Sequence, residues 1–168
     1  MALWKAAALL VAAVLASASA APPPAAVLAS AAAGCGRKVL VQNLCGRPLV
    51  LRSSVRSNSP PLFPDGRPER TLPAGQHEEF PVCTWHGVLA VDGAPAAEFH
   101  VGTDGAWYKA PNAAPGLLPM SITPHTARGA LQGHCPAVGC RKAECFKHDE
   151  AGGNCTNADE IKIIYCQP

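Results

Sequence analysis

The sequence predicts an all-β, disulfide-rich domain built as a β-sandwich or flattened barrel. Three observations carry that expectation. Short apolar runs alternate with polar residues at a period of two, and Gly/Pro turns separate them. No long segment has helical periodicity. Eight cysteines, at positions 35, 45, 83, 135, 140, 145, 155 and 166, all lie after the first 34 residues.

The closing stretch, Cys155 to Pro168, holds the clearest strand. Ile161, Ile163 and Tyr165 alternate with Lys162 and Ile164, and β-branched side chains suit a half-buried pleat. Cysteines bracket it, so the reading is a terminal strand tied at both ends onto something far back in the chain. Lys38 to Cys45 reads as the first strand. Gly46-Arg47-Pro48 then turns it into Leu49 to Arg52 as a hairpin. Ser53 to Pro73 holds prolines 60, 61, 64, 68 and 73 and reads as a surface loop crossed by no regular element. Its arginines 56, 67 and 70 read as solvated rather than as a basic patch.

Leu72 to Gly75 is a turn ahead of a strand at His77 to Val82, and Cys83 to Val91 continues the sheet. Asp92-Gly93 turns into Ala97 to Val101, and Thr103-Asp-Gly105 turns into Ala106 to Lys109. Leu117 to Ile122 is a last short strand before the cysteine-rich tail. The expected domain runs from about Lys38 to Cys166 with its first and last strands adjacent.

Residues 1–20 have the form of a secretory signal peptide: Lys5, an apolar core from Ala6 to Leu15, and Ala18-Ser19-Ala20 as the cleavage site. Pro22-Pro23-Pro24 interrupts the apolar run before it reaches the ~20 residues of a membrane span. Residues 21–34 are an Ala/Pro-rich leader, and residues 35–168 form one domain. Without Lys5, the 14 basic and 12 acidic residues become 13 and 12, a net charge of +1. That balance points to neither nucleic acid nor an anionic membrane. Eight cysteines in an exported chain read as four disulfides. A zinc site at Cys135, Cys140 and Cys145 with His134 and His148 has the wrong spacing and the wrong compartment, so no metal and no cofactor are expected. The six histidines are scattered and read as surface residues. Asn154-Cys155-Thr156 is a formal glycosylation sequon, expected to be poorly used because its middle residue enters a disulfide.

Several runs resemble the short, plant-type thaumatin-like proteins. Val39-Leu-Val-Gln-Asn-Leu-Cys45 is similar to that family's opening strand, and Leu72-Pro-Ala-Gly75 with Glu79-Phe-Pro-Val82 to its turn and second strand pair. Ala97-Glu98-Phe99 and Gly116-Leu-Leu-Pro119-Met120 resemble two further motifs. The tail matches by spacing: four residues between Cys135 and Cys140, five between Asp149 and Cys155, ten between Cys155 and Cys166. The resemblance covers most of Val39 to Cys166 and implies the thaumatin-like form of the sandwich.

The same resemblance implies a cleft at Glu98 and Asp149. The family's other cleft positions fall at Val91, near Lys109 and near Ala114, so two acidic residues of its five charged ones remain. With Lys109, Trp107 and Tyr108 beside them, these residues make the candidate binding groove, expected to be weakly acidic at best. Glycosidases need two carboxyl groups, one held protonated, and a Lys109 lining the same groove would lower a carboxyl pKa and work against a general acid. The implied function is a secreted, monomeric defence-type binding protein of the apoplast or cell wall, antifungal in the family's manner. It would recognise a cell-wall polysaccharide or inhibit a microbial secreted glycan hydrolase. The alternatives are a degenerate β-glucan hydrolase using Glu98 and Asp149, or a member whose cleft function is lost. Resemblance pairs Cys45 with Cys166 and Cys135 with Cys140. Cys145 then replaces the family's missing partner for Cys155, and Cys35 and Cys83 pair as the remaining two.

Overall fold

The computed structural model describes residues 34–56, 58–110, 117–140 and 152–167. Among these residues every helix or strand is a strand, and none is a helix that could cross a membrane. In chain order they are β1 (Arg37–Asn43), β2 (Leu49–Val55), β3 (Glu69–Leu72), β4 (His77–Val82), β5 (Trp85–Val91) and β6 (Ala97–Gly102). They continue as β7 (Gly105–Lys109), β8 (Met120–His125), β9 (Gly133–His134), β10 (Val138–Cys140), β11 (Gly152–Cys155) and β12 (Glu160–Tyr165). The fold is all-β, as the alternation predicts.

Two sheets face each other. One has the order β10-β8-β12-β1-β4 and the other β3-β2-β5-β6-β7-β11-β9. The first and last strands are neighbours: β1 and β12 pair in parallel, Val39 opposite Ile161 and Asn43 opposite Tyr165. Period-two alternation sends one face of each strand inward. Val39, Val41, Phe80, Ile122, Ile161 and Ile163 of the smaller sheet are fully buried. Leu51, Trp85, Leu89, Phe99 and Val101 of the larger sheet are buried with them. Trp85 packs on Phe99 with ring centroids 4.6 Å apart, and Phe63 packs on Phe80 at 5.1 Å.

The expected hairpin of Lys38–Cys45 with Leu49–Arg52 is not formed. β1 and β2 lie in different sheets. The chain turns the corner at Asn43, whose buried amide donates to the carbonyls of Arg47, Leu72 and Pro73, and whose oxygen accepts from the Cys45 amide. A side chain here does the work that hairpin hydrogen bonds would have done.

The Ser53–Pro73 segment also departs from expectation. β2 runs on to Val55, and β3 pairs with it, Leu72 opposite Leu49 and Glu69 opposite Arg52. Pro68 and Pro73 flank β3 without interrupting it, and the Pro68 carbonyl accepts from the Ser53 amide at 2.8 Å. Leu62 and Phe63 plug the core from this segment. Arg70 of β3 bonds Glu78 of β4, closing one edge of the sandwich.

The strand expected at Leu117–Ile122 is shifted to β8, which carries Pro124. β10 covers only Met120 to Ile122, so Pro124 lies where β8 has one neighbour and its missing N–H costs no ladder bond.

Among the described residues three disulfides are present: Cys35–Cys83, Cys45–Cys166 and Cys135–Cys155. The first two follow the expected pairing. The third replaces both Cys135–Cys140 and Cys145–Cys155. β9 and β11 are adjacent, Gly133 opposite Cys155 and His134 opposite Asn154, which brings the Cys135 and Cys155 Cα atoms to 5.4 Å, inside the range a disulfide spans. Cys140 is on β10, in the other sheet. Cys145 lies outside the described residues.

Candidate functional site

The larger sheet has an open face, and its pleat decides what stands there. On β5, β6 and β7 the inward residues are Trp85, Leu89, Phe99, Val101, Ala106 and Tyr108. Their alternates, His86, Val88, Glu98, His100, Trp107 and Lys109, face out. Register then sets them in rows. Across one row His86 lies opposite His100, His100 opposite Trp107, Trp107 opposite Asn154, and Asn154 opposite His134. In the next row Val88 lies opposite Glu98 and Glu98 opposite Lys109. Arg56, just past β2, joins the first row through its amide, which donates to the His86 carbonyl at 2.8 Å.

Trp107 is the aromatic centre. His86 meets it edge-on at 5.0 Å between centroids, and His100 lies nearly parallel to it at 6.4 Å. His100 Nε2 is 3.0 Å from Asp104 Oδ1 in the β6–β7 turn, which fixes the imidazole and holds the Asp104 carboxyl below its ordinary range. A Cβ at Gly102 would fall 2.7 Å from that carboxylate and 2.8 Å from His100 Nε2, so glycine leaves room for the pair.

Glu98 is the electrostatic centre. Lys109 Nζ is 2.9 Å from its Oε2, Arg56 Nε 3.3 Å from its Oε1, and His86 Nε2 3.8 Å from the same oxygen. The Lys109 hydrogen bond pushes the Glu98 carboxyl below its ordinary range. Partial burial opposes this, and the charges of Lys109, Arg56 and His86 add to it. The carboxylate is the recessed member, its side chain 21% exposed against 57% for Arg56 and 53% for Lys109. At this point of the groove two cations cover one anion.

Because its folded value is lowered, ionised Glu98 adds stability above the ordinary carboxylate range. That contribution is lost as pH falls through the lowered value. Glu98→Gln should cost about 1 kcal/mol at neutral pH, the cations being more than half solvated. Urea titrations of both proteins should converge in acid; a gap that persists at low pH counts against this account.

Of the expected groove residues, the structure brings Glu98, Lys109 and Trp107 together. Tyr108 belongs to the core: it is 1% exposed, its hydroxyl donates to the Pro136 carbonyl, and burial pushes its pKa up to about 12. Neighbours on a strand face opposite ways, so Trp107 and Tyr108 cannot share a groove. Asp149 lies outside the described residues. The sequence reading missed Arg56, His86, His100 and Asp104.

Asn154 is exposed in this face, on β11 between β7 and β9. A glycan there would stand beside Trp107. Cys155, the middle residue of the sequon, is held in the Cys135 bridge. Intact mass spectrometry of secreted protein should show mostly unmodified chain, and full occupancy would contradict the expectation.

A second concavity, an open groove of about 700 Å³, lies beside β3. Of the charges that line it, Arg70 pairs with Glu78 and Asp65, and Glu69 with Arg52.

No protein-family model matches the chain, and no curated protein matches it. Among solved structures, the protein elicitor MoHrip2 from Magnaporthe oryzae is similar at 15% identity and a TM-score of 0.44, covering 77% of this chain and 98% of that one. A likeness at that score carries no argument about what this chain binds.

Proposed function

We propose that this chain is an exported, monomeric recognition protein of the thaumatin-like kind that binds a cell-wall polysaccharide on the open face of its larger sheet. The observation that carries the reading is Trp107, half-buried and flanked by His86 and His100, beside the Glu98–Lys109–Arg56 cluster. A pyranose ring has an apolar C–H face and a rim of hydroxyls. The face of a fixed aromatic ring receives the first, and the surrounding polar groups receive the second. Three disulfides suit an extracellular setting. The Cys45–Cys166 bridge between the opening and closing strands supports the thaumatin-like assignment.

The site favours binding over hydrolysis. Glycosidases hold one carboxyl protonated as general acid, whereas Glu98 is held ionised by Lys109. Secreted protein should bind insoluble cell-wall polysaccharide in a pull-down. Trp107→Ala should weaken that binding about tenfold or more, with the far-UV spectrum unchanged. Unaltered binding by the variant would refute the site. Turnover of β-1,3-glucan that Glu98→Gln abolishes would replace this reading with an enzymatic one.

A further inference from the structure

From the arrangement of charge around Glu98 we infer that the polysaccharide is anionic, a polyuronate whose carboxylates are met by Arg56 and Lys109 while its rings rest on Trp107. The inference rests on the binding reading above and adds the chemical class of the ligand. Glu98 lies beneath the two cations, recessed where they are exposed, at 3.3 Å from Arg56 Nε and 2.9 Å from Lys109 Nζ. It is thus an internal counter-ion: it positions both cations and lowers the cost of holding them together, yet leaves more than half of each open to solvent. One carboxylate does not neutralise two cations, so the cluster keeps one net positive charge.

The nearest carboxylates have cations of their own. Asp104 has His100 at 3.0 Å and the charge of Arg37 acting on it, and Asp92 and Glu69 share Arg52, with the charge of Arg47 also acting on Asp92. His86 stands on the same side of Glu98, 3.8 Å from its Oε1, and its buried Nε2 has no hydrogen-bond partner. A guanidinium presents a fork matched to a carboxylate, and an ammonium on a flexible stem adjusts to a second one. Register places Lys109 one pleat along from Trp107 on the same strand face. A uronate ring stacked at Trp107 therefore has a cation within one side-chain length. A neutral glucan would use the platform and leave both cations idle.

The test measures binding of the full secreted chain to polygalacturonate and to its fully methyl-esterified form, the same backbone with its carboxylates masked. Polygalacturonate should bind about tenfold or more tighter than the ester. Its affinity should fall steeply with added salt, and Arg56→Gln and Lys109→Met should each remove most of the preference. Glu98→Gln keeps an amide oxygen that accepts from both cations and removes only the competing negative charge, so it should tighten polygalacturonate binding. Lys162→Gln, which removes the same charge from the other sheet, should change nothing. Equal affinity for acid and ester, or weaker binding in Glu98→Gln, overturns the inference while leaving Trp107-dependent recognition standing. Absence of binding to either polymer and to neutral glucan overturns both. Binding lost equally in Lys162→Gln would mean non-specific charge attraction, and that also overturns it.

Discussion

Replacing both Cys45 and Cys166 with serine should bring the chain close to unfolding at 37 °C. The bridge closes a loop of 121 residues, and on the chain-entropy model a loop of that order stabilises a fold by roughly 5 kcal/mol. A domain of this size has a total stability of about 5–15 kcal/mol, so the loss is most of the margin at the low end. Position makes the effect larger than for the other two bridges, which span 48 and 20 residues. Cys45 follows β1 and Cys166 follows β12, the parallel pair at the centre of the smaller sheet. Parallel pairing of the two ends of a domain carries the highest loop-closure cost of any contact in it. The bridge meets that cost in advance, and the Leu44 amide donating to the Tyr165 carbonyl at 3.0 Å extends the pairing to its edge. Urea denaturation followed by tryptophan fluorescence should show a large fall in midpoint. A midpoint within about 1 kcal/mol of the parent would mean that the parallel pair needs no covalent help.

The sequence carried the strands and the closure of the chain, but not the sheets. Alternation at Val39–Val41, Ala97–Val101 and Ile161–Tyr165 is local and shows which residues are inside. Which sheet a strand joins depends on corners such as Asn43, and one side-chain amide leaves no periodic mark. β3 was hidden because prolines read as a barrier, although Pro68 and Pro73 only bound it. β11 was hidden because Gly152-Gly153 has no side chains and so leaves no alternation to read. A Cβ at Gly153 would run into the Tyr108 hydroxyl, so the glycine is a packing requirement of a strand. Missing β9 and β11 hid the Cys135–Cys155 bridge, since only their pairing brings those cysteines together.

The candidate site was closer to legible. Gly102 pairs with Gly105 across a two-residue turn, Thr103-Asp104, and a turn of known length fixes register. Counting back from it sets His100 opposite Trp107 and Glu98 opposite Lys109. The same count turns Tyr108 inward. The resemblance drew attention to Glu98 and gave no reason to look at His86, His100 or Arg56, because those belong to this chain's own sheet face.

Asn43 is where a single non-cysteine substitution should cost most. The residue is fully buried, 0% exposed, and its side chain satisfies four backbone groups. Nδ2 lies 2.9 Å from the Arg47 carbonyl and 3.0 Å from those of Leu72 and Pro73, and Oδ1 accepts from the Cys45 amide at 2.9 Å. These join the corner after β1 to the end of β3, tying the two sheets at one point. Asn43→Ala removes every partner at once and admits no replacement except water at a buried site. Each orphaned buried group costs about 1–3 kcal/mol, so a total of roughly 3–5 kcal/mol is expected, short of the full sum because some carbonyls will find solvent. Asn43→Asp should be as damaging for a different reason. It keeps the acceptor for Cys45 but turns a carboxylate oxygen toward three carbonyl oxygens, burying a charge among acceptors. That cost depends on ionisation, so Asn43→Asp should recover stability as pH falls through its carboxyl range, while Asn43→Ala should not. Thermal melts of both variants between neutral and acid pH would separate them. Two melts that move in parallel, or an alanine variant within about 1 kcal/mol of the parent, would mean that the corner is held by the Cys45 bridge alone.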